Sequence, residues 1–68
     1  SVSAIDATAM HNLEKLYEDC QKKGIQLIFS HVNEQPWRVM KKNGFIEKVG
    51  ADNFCAHIDD ALKRAEQL

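Results

Sequence analysis

Met10, Leu13, Leu16, Tyr17 and Cys20 recur at spacings of three and four, Gly24 follows them, and Ile25-Gln26-Leu27-Ile28-Phe29 begins at once. The first group lays an apolar stripe along one side of a helix and predicts a helix over 8–23. Glycine is the residue that best ends a helix in the left-handed conformation. The run after it is apolar on both strand faces apart from Gln26, as in a parallel-sheet strand covered on both sides. A helical stripe joined through one glycine to a doubly apolar strand commits the chain to layers of helix on sheet, with Ile25–Phe29 as a central strand.

The remaining segments fit that arrangement. Val2 and Ile5 are β-branched and predict a short strand over Ser1–Ile5 that ends at Asp6. Asn33 is placed to cap a second helix, with Pro36 in its first turn, Trp37, Val39 and Met40 along it, and Asn43-Gly44 as its stop. Phe45 to Gly50 reads as a short apolar turn of chain, and Asp52-Asn53 as a turn before a brief strand at Phe54-Cys55. Ile58, Ala61, Leu62, Ala65 and Leu68 form the stripe of a C-terminal helix, with Asp59 and Asp60 suited to its positive end. Glu18 with Lys22, and Asp19 with Lys23, stand four apart in the favourable acid-first order.

Strand, helix, strand, helix, short strand, helix is a βαβ progression, which builds parallel sheets and defines the class as α/β. Three amphipathic helices have little sheet to cover here, and a sheet this narrow is marginal by itself. Further strands are therefore expected from an upstream segment or a partner.

With 68 residues the chain is one domain at most, and its two cysteines are too few and too far apart for a disulfide scaffold. Nine basic against ten acidic side chains leave a net charge of -1, no field for nucleic acid. The apolar run at Ile25–Phe29 falls well short of the roughly 20 residues that span a bilayer. These features predict a soluble domain in a reducing cytoplasm.

Candidate chemistry is sparse. Asp6 and Thr8 both stand where a helix cap belongs, a role worth roughly 0.5–2 kcal/mol. Cys55-x-His57 is too close for the paired-ligand spacing of structural zinc, Cys20 belongs to the helix stripe, and no metal is expected from these with His11 and His31. A Cys/His nucleophile lacks an orienting third group, so neither enzymatic activity nor a cofactor is expected. Trp37 reads as a packing residue or, if exposed, a docking anchor. Lys41-Lys42 with Lys48 reads as a solvated helix end, and Gly44 to Gly50 lacks the Gly-x-x-x-x-Gly-Lys of a phosphate loop.

Three stretches carry a resemblance. Ile5-Asp6-Ala7-Thr8, running into Asn12-Leu13-Glu14-Lys15-Leu16, resembles the "strand, Asp-Ser/Ala-Thr/Ser-Gly, helix with Leu-Glu" signature of STAS domains. Lys23-Gly24-Ile25-Gln26-Leu27-Ile28-Phe29-Ser30 with Val32-Asn33 resembles the "Lys/Arg-Gly-hydrophobic strand-small residue" segment of that family. Met40-Lys41-Lys42-Asn43-Gly44-Phe45 resembles its "Leu-x-x-x-Gly-Leu/Phe" helix exit, and Asp60-Ala61-Leu62 its terminal "Ala-Leu" helix. The three stretches and the terminal helix stand in the family's order along the chain.

The resemblance implies a βαβ-type STAS fold, incomplete here, with residues 1–68 as the C-terminal part of a single domain whose N-terminal strands are missing. It implies a non-catalytic regulatory module of a SulP-type anion transporter, at the cytoplasmic face of the membrane. The implied partners are the membrane portion of that transporter and a cytoplasmic regulatory protein, with a nucleotide as a further candidate ligand. Asp6, Ala7, Thr8 and Ala9 then correspond to the partner-binding loop. In freestanding anti-sigma-factor antagonists, the alternative reading, phosphorylation of a serine after the aspartate releases the partner. Here that position is Ala7, the expected glycine is Ala9, and Thr8 is the remaining candidate phosphosite.

Overall fold

The first helix, α1, is set by its two ends. Asp6 is extended and its side chain accepts the Ala9 N–H, and Met10 N–H closes the first turn on the Asp6 carbonyl at 2.9 Å. Helix α1 runs Ala7–Lys22 and buries Met10, Tyr17 and Cys20. At its far end the Ile25 N–H returns to the Cys20 carbonyl at 2.8 Å and the Gly24 N–H to Gln21 at 3.1 Å. This pair of bonds is the Schellman closure, and it requires the positive φ of 71° found at Gly24. The computed structural model describes residues 5–68, so most of the strand expected over Ser1–Ile5 lies outside the described residues.

That closure also corrects the expected strand at Ile25–Phe29. Ile25 still serves to end α1 and is 50% exposed, so the extended chain reaches sheet pairing only at β1, Phe29–Ser30. Helix α2 (Glu34–Lys42) starts at Asn33, which holds the cap position without a side-chain cap bond, and buries Pro36 and Met40.

Phe45 to Gly50 is not a turn, as the sequence suggested, but a helix, α3 (Phe45–Val49), with Phe45, Ile46 and Val49 buried. Phe45 and Val49 stand four apart and Ile46 and Val49 three apart, the spacings that bring side chains together on a helix. A 3₁₀ turn at Ala51–Asn53 leads into β2, Phe54–Cys55. The strands pair in parallel, Phe29 opposite Phe54 and Ser30 opposite Cys55, as a βαβ unit should. Helix α4 (Ile58–Glu66) begins after His57 and lies against both strands.

The core is centred on Phe45, which is 0% exposed. Its ring meets Tyr17 and Phe29 edge-on at 5.9 Å and Phe54 at 6.4 Å. Phe29 and Phe54 stack nearly parallel at 4.8 Å, and Trp37 stands edge-on to Phe54 at 5.6 Å. Such offset and edge-on contacts add to the area these rings bury. Trp37 is therefore a half-buried packing residue.

Elsewhere the chain is less closed than its periodicity implied. The α4 stripe buries only Ala61, while Ile58, Leu62 and Leu68 are 54%, 58% and 60% exposed. Leu16 of α1 is likewise half exposed. Glu18 pairs across the fold with Lys48 at 3.2 Å rather than along its own helix with Lys22. Cys20 and Cys55 are free thiols.

Candidate functional site

Both strands end on the same side of the molecule, because they are parallel, and α2 and α4 start there. Ligands of open α/β sheets gather at that carboxyl end. Two neighbouring depressions of about 360 Å³ each open on it. One is an apolar cleft between α1, β1 and α2, lined by Ile5, Ala9, Leu13, Phe29, Pro36 and Met40. The other lies beside Trp37, Phe54 and Cys55, and the segment His31 to Asn33 borders both.

That segment takes its shape from His31, which has a positive φ of 56°, uncommon outside glycine. Its N–H donates to the Cys55 carbonyl at 3.2 Å, so the link between the strands continues one residue past β1. The His31 ring meets that of His57 edge-on at 5.8 Å.

Asp6, Ala7, Thr8 and Ala9 are all exposed at the start of α1. The Asp6 carboxylate accepts the Ala9 N–H at 2.8 Å, placing its charge at the positive end of the helix dipole. Asp6 alone is the cap; Thr8 lies two residues later, inside the first turn. The backbone just before this loop is tied down from a distance. Ile5 N–H donates to Gln35 Oε1 at 2.7 Å, and Gln35 Nε2 donates to the Ile5 carbonyl at 3.1 Å. No local signal announces this contact, because its partners are 30 residues apart.

What this end presents is a capped carboxylate, a hydroxyl, two imidazoles and an apolar cleft, which are groups suited to recognition. Among the described residues, no set of three or more His, Cys, Asp or Glu side chains is placed to hold a metal ion. Lys48, grouped in sequence with Lys41 and Lys42, is engaged by Glu18 and lies 5.9 Å from the centre of the Tyr17 ring.

The family model for the STAS domain matches residues 1–61. The chain belongs to the STAS domain family. A crystal structure of a sulfate transporter family protein from Wolinella succinogenes superposes with a TM-score of 0.90 at 39% identity, over 97% of this chain and 54% of that one. Two curated relatives from Arabidopsis thaliana are similar along 62 residues, 91% of this chain. They are the probable sulfate transporter 4.2, at 32% identity, and the chloroplastic sulfate transporter 4.1, at 31%. The chain spans 9% of the length of each. Among the described residues of this STAS chain, no helix is long and apolar enough to cross a membrane.

Proposed function

We propose that residues 1–68 are the C-terminal part of a STAS domain that serves a SulP-type anion transporter as a non-catalytic regulatory and interaction module. Its place is the cytoplasmic face of the membrane, against the membrane portion of the same polypeptide. The observation that carries this reading is that the similarity covers 91% of this chain but only 9% of relatives named as sulfate transporters. The Asp6–Ala9 loop is the contact surface in this reading, supported by its four exposed residues beside the apolar cleft. Thr8 is the regulatory hydroxyl, where a phosphate would add up to two negative charges next to Asp6 and change what docks there.

The test uses the natural full-length gene product, with a photo-reactive residue placed at Ala7. Cross-linking within the polypeptide, from the loop to a hydrophobic span, is the expected result. An open reading frame without hydrophobic spans would overturn the transporter assignment. Cross-links only to separate cytosolic proteins would limit the loop to a regulatory-partner surface. Intact-mass measurement after incubation with cell extract and ATP reads the Thr8 step, and a T8A variant must lose the phosphate adduct.

A further inference from the structure

The two bonds between Ile5 and Gln35 are the two-way exchange that a residue in a neighbouring strand would make. Here a side-chain carboxamide makes them, since glutamine carries a donor and an acceptor on one planar head. Both contacts are partly buried, and Gln35 itself is held between Glu34 and the buried Pro36 in the first turn of α2. On the other side, Ile5 is the last residue before the Asp6 cap. Gln35 therefore closes a bridge from the start of α2 to the start of α1, across 30 residues of chain.

We infer that Gln35 is a positioning residue for the Asp6–Ala9 surface, holding the backbone at Ile5 so that the loop is presented in one arrangement and is coupled to α2. The inference deepens the proposed function, because it gains biological meaning only if that loop meets a partner. Without the clamp, both backbone groups of Ile5 must find water, and the chain turns freely about the Ile5–Asp6 link. A partner then bears the cost of ordering the loop. Coupling of this kind is reciprocal, so an occupied or modified loop also steadies the Gln35 contact.

Residue-resolved amide hydrogen exchange in the full-length protein tests the clamp without needing the partner. Q35M keeps the volume and removes both bonds. Its expected effect is a loss of protection at Ile5 and Ala9 of about three- to tenfold, the scale of one net hydrogen bond, with Met40 in α2 unchanged. Q35E accepts from the Ile5 N–H but does not donate while ionised. Protection at the Ile5 N–H, which that carboxylate still accepts, is therefore expected to stay nearer the native value in Q35E than in Q35M, and this retention shows that the Q35M loss belongs to the clamp rather than to a general loss of fold. Equal protection of Ile5 and Ala9 in the native protein and Q35M would overturn the inference, as would a uniform loss along all of α2. If the clamp is seen but the cross-link from Ala7 reaches neither a membrane span nor a regulatory protein, the positioning role stands and the reading of the loop as a docking surface falls.

Discussion

Arg64 of α4 donates from Nε to Asn53 Oδ1 at 3.0 Å, while Asn53 Nδ2 donates to the Val49 carbonyl at 2.8 Å, so one buried amide joins α3 to α4. Asn53 is only 5% exposed. In the complete domain, N53L is expected to cost about 1–3 kcal/mol, because it leaves a buried carbonyl and a guanidinium donor without their partner. R64A removes one bond at a half-exposed site and is expected to cost about 0.5–1.5 kcal/mol. Urea unfolding midpoints of the two variants and of their combination measure both costs and the coupling.

Two glycines separate strain from crowding. Gly24 has a φ of 71° with open space where a Cβ would stand, whereas at Gly50, with φ 104°, an added Cβ would meet Asn53 Nδ2 at 3.2 Å. G24A is expected to cost about 1–2 kcal/mol, the left-handed penalty alone. G50A is expected to cost more, since it also displaces the Asn53 amide. Thermal melting of the pair checks the order, and equal losses would refute it.

Phe45 touches Tyr17, Phe29 and Phe54 and is wholly enclosed. F45A is expected to remove about 3–5 kcal/mol, enough to unfold a domain of marginal stability. F45L, closer in volume, is expected to retain a cooperative transition at reduced midpoint. Near-ultraviolet circular dichroism reports the loss of the aromatic packing in each.

The uncovered stripe of Ile58, Leu62 and Leu68, with Leu16 and Ile25, predicts how the 68 residues behave alone. Among the described residues the sheet has two strands of two residues each, which close little apolar area. The isolated chain is expected to aggregate or melt without cooperativity. Extension upstream to the span of the Wolinella domain is expected to restore a cooperative transition. Circular dichroism melts of both lengths decide the matter, and a sharp, reversible, concentration-independent melt of the 68 residues would show that the sheet is self-sufficient.

Helices α1, α2 and α4 were legible because their apolar periodicity and their stops at Gly24 and Gly44 are local signals. The parallel sense of the two strands followed from the βαβ order, whereas the register that sets Phe29 opposite Phe54 came only with the fold. Helix α3 was hidden by its five-residue length, too short for a stripe to repeat. The strand at Ile25 was overread, because apolar character does not show that the residue closes the preceding helix. At the candidate site, the Asp6 cap was readable from residue type and place, and Thr8 was placed two residues too generously. Gln35 and the backbone of His31 left no trace in the sequence, since both depend on chain brought together only by folding. The exposure of Leu62 was equally out of reach, for periodicity tells which face is apolar and not what covers it.

The shortness of α3 also bears on the order of folding. Five residues lie far below the length at which a helix persists unaided in water, so α3 has no existence before its surroundings do. Yet it carries Phe45, the residue on which α1 and both strands converge. The centre of this fold therefore cannot act as an early local seed. It has to condense together with contacts that span some 30 residues, such as the Tyr17 hydroxyl on the Lys48 carbonyl. A nucleus made of non-local contacts is slow to form, because loop closure must precede its reward. Substitutions at Phe45 should then retard folding more than they hasten unfolding.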